Sequence, residues 1–557
     1  NLSANYELSK KFNVMVRSGI DMSNEERAQN RPYSTANFQR GFFKQQNIFD
    51  YEINTDALLS FKDKISDNFD ISASAGANNM VRKYTGLSSS VEGLVIPGVF
   101  KLSNGLNNPV VASNYSNKVV NSVYALASLA YKDRIFVDLT GRNDWSSTLP
   151  VANNSFFYPS VSSSFILNEI FRLPSQITFA KLRLSAAQVG NDTDPYKTSK
   201  YYGTSEFPAS GSVATTLHNV NFKPEITTSY EAGLAYNLFG NRVGMDLTYY
   251  HNLTKNQILD VPLDPTTGYS RAVLNSGKVR NRGVEVVLTG KPVDGKNFKW
   301  NMTITWAKND NKVLELAEGM DGKQDIGTGG NATISARIGG TTGDIYGFGF
   351  VRSPDGQIVY TAAGLPARPA QIQYIGNAYA DWKGGIANEF NYKNLKFSFL
   401  VDGQYGGMIY SQSHHKMTEQ GKLKHTLRGR EENFIIGEGV VQNADGTYSP
   451  NTTKRLPVDF YADYYRRANV EANSFDASFL KLREVRLEFR IPQRLTSRLS
   501  MNQASVALYG RDLAMITNFP MFDPETAALN GSTILPGIEM GQLPSTRTFG
   551  LNLTFKF

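Results

Sequence analysis

Phe298-Lys299-Trp300-Asn301-Met302-Thr303-Ile304-Thr305-Trp306 is the stretch whose reading decides the fold. Phe298, Trp300, Met302, Ile304 and Trp306 are large and apolar, and every residue between them is polar. Successive side chains on a strand point to opposite faces, so this run has one greasy wall and one wet wall. The same alternation returns in Val243–Tyr249, Leu395–Phe399, Val485–Ile491 and Phe549–Phe557, and the last of these closes the chain on an aromatic. A soluble sandwich writes the same local pattern. The connections between runs therefore have to choose.

Roughly 17 such runs are present, and short and long linkers alternate between them. The short ones include Ser9-Lys10-Lys11, the turn at Asp67-Asn68, Lys132-Asp133-Arg134, Phe239 to Arg242, Pro292 to Lys296 and Lys393-Asn394. The long ones run near 21–50, 81–119, 145–157, 190–227, 255–280, 310–380, 406–475 and 511–546. Bacterial outer-membrane barrels have short periplasmic turns and long extracellular loops, and a sandwich has no reason to keep that rule over many hairpins. The expectation is an all-β chain: a transmembrane antiparallel up-and-down β-barrel with its C-terminus in the periplasm. Such barrels have an even number of strands, and hydrocarbon tolerates no open sheet edge. Residues 1–557 are thus expected to be the C-terminal part of a barrel of about 22 strands, with a plug and the first strands upstream. Tyr249, Tyr250, Trp300, Trp306, Phe549 and Phe557, near the strand ends, suit the bilayer interface.

Composition narrows the function. The mean hydropathy of −0.34 looks soluble, as expected when lipid-facing and wet residues average out. No apolar run is long enough for a membrane helix. The chain has no cysteine, which excludes disulfides, Cys-ligated zinc and a thiol nucleophile. The net charge is +8, but no basic block interleaves with aromatics, so nucleic acid is not an expected partner. Five histidines without a recognisable partner spacing argue against an enzyme.

Several blocks, in order along most of the chain, resemble one family. They are Gly141–Pro150 followed by Phe157–Ser162; Val189–Asp192 with Pro195-Tyr196; Lys223-Pro224-Glu225 with Ser229–Gly233; Thr254–Leu259; Asn281–Glu285; Ser478–Val485; Gly510–Leu513; and Pro544–Gly550. Together they resemble the SusC-like (SusC/RagA) TonB-dependent outer-membrane transporters of Bacteroidetes. The resemblance implies a plugged 22-stranded barrel and an upstream TonB box read by the TonB-ExbB-ExbD complex. It also implies a SusD-like surface lipoprotein as lid, a possible dimer of such pairs, and oligosaccharide or oligopeptide cargo. No cofactor is implied.

Candidate contacts are few. Tyr346, Phe348 and Phe350, interleaved with glycine, offer ring faces to a sugar or peptide, or form a loop hairpin packed on itself. Tyr461, Tyr464, Tyr465 and Arg466 form an aromatic–basic cluster for substrate or lid. Asn191-Asp192-Thr193-Asp194 begins like a calcium loop but lacks the later ligands, so a turn is expected. His414-His415 is expected in a solvated loop, and Gly327–Gly330 as a flexible one. Phe555 and Phe557 resemble a terminal signal for barrel insertion.

Overall fold

The computed structural model describes residues 1–199, 201–204, 210–263, 265–317, 322–530 and 533–557. One antiparallel sheet contains 17 strands, numbered here in chain order. They are β1 Leu2–Glu7, β2 Phe12–Thr35, β3 Phe38–Ser66, β4 Phe69–Glu92, β5 Val110–Tyr131, β6 Ile135–Ser146, β7 Ser155–Ile166, β8 Ile177–Asn191 and β9 Glu225–Leu238. β10 Val243–Lys255, β11 Lys278–Asp294, β12 Phe298–Glu315, β13 Trp382–Tyr392, β14 Leu395–Tyr405, β15 Phe479–Arg490, β16 Gln503–Thr517 and β17 Thr548–Lys556 complete it. No helix among the described residues is long and apolar enough to cross a membrane, which leaves crossing by strands untouched. The chain divides into two compact units. One is Asn1–Ile166 with Arg183–Tyr230 and Thr254–Gly277; the other is Leu167–Leu182, Glu231–Leu253 and Lys278–Phe557.

In the first unit β1 to β7 pair in sequence order. The register keeps Val14, Leu59, Ala75, Ala125 and Gly141 in one row and Arg17, Asp56, Asn78, Ser122 and Asp144 in another, on the opposite face. On that charged face Arg17 pairs with Asp56 at 2.9 Å, and the Tyr124 hydroxyl donates to Asp56 at 2.7 Å. Asp144 accepts from Arg142 at 2.7 Å and from the Tyr158 hydroxyl at 2.6 Å. A one-residue slip would carry these charges to the apolar face, so the polar pairs fix the register.

The strands here correct one expectation. Residues 21–50 and much of 81–119 are not irregular loops: β2 and β3 run for 24 and 29 residues and meet in the tight turn at Ala36-Asn37. At about 3.3 Å per residue they reach far beyond the ~10 residues that span a bilayer. Past that span both faces meet water, so the apolar–polar alternation fades while the ladder continues. Cross-strand pairs such as Arg82–Asp50 at 2.7 Å stand in for hydrophobic patterning.

In the second unit β11 to β17 pair in sequence order. Trp300, Phe390, Phe397 and Leu487 share one face. Asn301, Glu389, Ser398 and Arg486 share the other, as the alternation in β12 predicts. The charged face carries the ion pairs Lys396–Glu389 at 2.5 Å, Arg486–Glu488 at 3.0 Å and Arg511–Glu484 at 2.8 Å. One polar side chain, Asn388, is buried on the apolar face, where its Oδ1 accepts from the Trp300 indole N–H at 2.9 Å. Without that donor the amide oxygen would be stranded among Phe390, Phe397 and Phe399.

Candidate functional site

The connections after β12, β14 and β16 do not hang separately. Strands Lys323–Gly329, Ala332–Arg337, Asp344–Gly347 and Gln373–Asn377 form a four-stranded sheet. Ala332, Ile334 and Ile345 from it share a core with Tyr410 and Val470 from the second connection and Ala528, Leu535 and Ile538 from the third. Each fully buried Ile, Leu or Val contributes about 1.5–3 kcal/mol, so three loops are fused into one body. Gly327–Gly330 belongs to this body instead of a flexible loop. A Cβ on Gly329 would lie 2.6 Å from Ile538, and Gly330 turns the hairpin at φ +65°.

A buried carboxylate ties two of the loops. Glu539 accepts from the hydroxyls of Ser411 at 2.5 Å and Ser413 at 2.6 Å, and from the Ser413 N–H at 3.2 Å. It thereby meets the first turn of the helix Gln412–Glu419, where the helix dipole favours a negative charge. That helix overturns the solvated-loop expectation for His414-His415, both of which are buried. Ser411 caps it by accepting from the His414 N–H, and a helix wedged between neighbours can bury adjacent residues that a strand would point apart. His414 stacks on His425 at 5.1 Å and meets Tyr465 and Phe475 edge-on. Its Nδ1 lies 3.0 Å from Asn473 Oδ1. Burial lowers His414 to about 4, and lowers His415 and His425 as well.

The two aromatic groups singled out in the sequence, more than a hundred residues apart, converge here. Phe350 is buried with its ring 4.9 Å from that of Tyr464, and its N–H donates to Glu471. The Phe348 carbonyl accepts from the Val470 N–H at 2.8 Å. Tyr346 packs edge-on to Tyr374 at 5.8 Å, with the Lys323 ammonium 4.9 Å from its ring. Tyr461 is buried and donates to the carbonyls of His425 and Arg428 at 2.7 and 3.2 Å. Tyr465 packs against Tyr464 and His425, and burial pushes its phenol up to about 12. Arg466 is half-buried, and burial pulls its basicity down; its Nη1 has no hydrogen-bond partner. These side chains therefore pack the loops together, with Phe350 and Tyr461 buried and Tyr346, Phe348, Tyr464, Tyr465 and Arg466 half-buried.

Sequence reading missed an ionic clamp where the loops meet the wall. Lys481, 4% exposed, reaches both oxygens of Asp523 at 2.7 and 2.8 Å and also pairs with Glu525. Glu525 is shared with Arg483 at 2.5 Å, which also holds Asp402 at 2.6 Å. The available signal was the i, i+2 spacing of two bases on β15 and of two acids beyond β16.

In the first unit, Asp192 of the pseudo-calcium stretch accepts from Lys118 and from the Ser146 hydroxyl, each at 2.5 Å, so it is engaged by protein groups. Among the described residues no cluster of His, Asp or Glu could hold a metal.

Residues 1–341 match the family model described as TonB dependent receptor-like, beta-barrel. The chain belongs to the TonB-dependent receptor family. A TonB-dependent receptor of Formosa agariphila is 27% identical over 90% of this chain and 53% of its own length. The TonB-dependent receptor SusC of Bacteroides thetaiotaomicron is 23% identical over 64% of this chain and 34% of its own. The chain thus spans about half the length of the curated relatives it matches. Among solved structures, the RagAB peptide transporter superposes with a TM-score of 0.78 at 19% identity, over 100% of this chain and 61% of that one. The fold of this TonB-dependent receptor barrel is therefore of the SusC/RagA type, as the sequence blocks imply, and its family places it in the outer membrane.

Proposed function

We propose that this barrel forms most of the wall of an active importer for oligosaccharides or oligopeptides. Its supply of energy comes through an upstream TonB box engaged by TonB-ExbB-ExbD, and a SusD-like surface lipoprotein closes over it. One observation carries the reading: the wall is inverted relative to a soluble protein. Ile386, Phe397, Leu487 and Leu508 of β13 to β16, each strand paired on both sides, are 41, 37, 43 and 62% exposed, while the charges of the same strands are paired on the other face. Water penalises such an apolar wall, and hydrocarbon welcomes it.

In this reading the apolar face meets lipid and the charged face lines a wet lumen. The fused loop body stands on the extracellular side, and the C-terminus lies in the periplasm. The chain performs no covalent chemistry; its residues shape a path and hold the loops around it. Phe555 lies in the last turn of the pleat of β17, and Phe557, 82% exposed, follows directly after the strand. Deleting Phe557 should lower the amount of heat-modifiable barrel reaching the outer membrane. Unchanged amounts would remove the insertion role.

The test is purification of the full-length protein from detergent-solubilised outer membranes, with mass spectrometry of what accompanies it. A stoichiometric surface lipoprotein with bound oligosaccharide or peptide supports the lidded importer. A barrel that emerges alone, conducts passively and needs no TonB sinks it.

A further inference from the structure

β6 stops at Ser146, opposite Val120 of β5, yet β5 runs on to Val110 still paired with β4. Over Val110–Ser116 the other side of β5 carries no strand among the described residues. The direction of its free groups is set by their neighbours. The Val119 N–H donates to Ser147 Oγ at 2.9 Å, and the Val119 carbonyl accepts from the Ser147 N–H at 2.9 Å. Two residues further, the Asn117 N–H donates to the Tyr196 hydroxyl at 3.3 Å. Antiparallel pairing alternates, so the N–H and C=O groups of Tyr115, Ser113 and Val111 point the same way, away from β4.

This edge lacks the usual protection. Val110-Val111-Ala112-Ser113-Asn114-Tyr115-Ser116 contains no charge and no proline, and Val110, Val111 and Tyr115 are 72, 61 and 58% exposed. Charged residues and proline discourage strand pairing, and this edge has neither.

We propose that Val110–Ser116 is a strand-addition site that takes an extended, uncharged segment of the lid lipoprotein. This rests on the function proposed above. A second copy of this chain does not fit. The two-fold axis relating antiparallel edge strands is perpendicular to the sheet, so it lies in the membrane plane for a wall strand and would invert the partner's topology. Cargo fits poorly too, because Val111 and Tyr115 continue the face of β5 that carries Ala125 in the row with Leu59 and Ala75, opposite the face of the paired charges. A partner with its body outside the barrel covers them and supplies alternate apolar side chains beside them.

The experiment places a photo-reactive benzoylphenylalanine at Val111 of the full-length protein in living cells, with Leu87, in the middle of the extension, as control. Expected is an adduct from position 111, and none from 87, mapping to one extended segment of the co-purifying lipoprotein. Ser113→Pro removes an N–H that β4 does not use, so the barrel folds and inserts while the adduct falls about tenfold. Tyr115→Lys acts in the same direction by charging the edge. A lipoprotein that co-purifies stoichiometrically without an adduct at 111 overturns this site alone. Absence of any lipoprotein overturns both this site and the lidded importer. An adduct to the protein's own loops, to a second copy or to cargo, or one that Ser113→Pro leaves intact, also overturns it.

Discussion

The wall built by β11 to β17 and the loop body above it are made by opposite means. In the wall each strand pairs with its sequence neighbour, and its energetics follow from a two-residue period: one face for lipid, one for paired charge. In the loop body one core gathers residues more than two hundred positions apart, such as Ala332 and Ile538. The wall tolerates change because any apolar side chain of suitable size suits lipid. The loop body is packed like a soluble core, where fit matters. Membrane solvent and water thus impose different rules within a single chain.

The largest break should come where the two regions are clamped. Lys481→Met leaves Asp523 buried without its cation, and losing one partner of a buried pair costs about 3–5 kcal/mol. Residues 518–547 should then exchange amide hydrogens much faster while β12 to β15 keep their protection and the barrel stays heat-modifiable. Equal protection of the last loop in the variant would show that the clamp is dispensable. Acid should mimic the variant. Burial alone would raise the Asp523 carboxyl, but hydrogen bonds from Lys481 and the Glu525 N–H hold it below the ordinary 3.8. Its stabilisation is therefore present above that value and lost as pH falls beneath it.

This division explains what was legible. Strand number and the two faces of β12 or β15 could be read from alternation, since Trp300 and Asn301 state their environments locally. The upper halves of β2 and β3 could not, because both of their faces are wet and Glu25, Arg27 and Lys44 look like loop residues. Tyr346 to Phe350 and Tyr461 to Arg466 were visible as unusual, but their meeting was not, because nothing in either segment encodes the other. His414 misled for the same reason: the groups that bury it, Asn473, Tyr465 and Phe475, come from the far end of the connection.

A pH titration separates the regions more gently. His414 is held near 4 against an ordinary 6.5, chiefly by burial, with His425 and His415 adding like-charge repulsion. A folded value below the unfolded one means that stability is full above 6.5 and is lost as pH falls towards 4. The loss is of the order of 3 kcal/mol if the whole shift is realised. Between pH 7 and 4.5 the helix Gln412–Glu419 should lose exchange protection while β12 and β13 do not. His414→Gln, which keeps a donor for Asn473 but does not titrate here, should flatten that dependence. A slope that persists in the variant would assign the effect to other groups.

The smallest expected effect tests whether the wall is as forgiving as the contrast implies. Trp300→Phe preserves an aromatic on the apolar face but removes the N–H that satisfies Asn388. If the wall were indifferent to everything except hydrophobicity, the variant would unfold in urea like the parent. The stranded amide oxygen instead predicts a loss of about 1–3 kcal/mol, because water that could replace the donor is scarce on a lipid-facing surface. Asn388→Ala strands the indole N–H in turn, so the double variant, with neither group left unpaired, should cost less than the sum of the two single substitutions. Full additivity of the two substitutions would mean that the indole and the amide are not coupled, and that the wall obeys the two-residue period with no exception at this position.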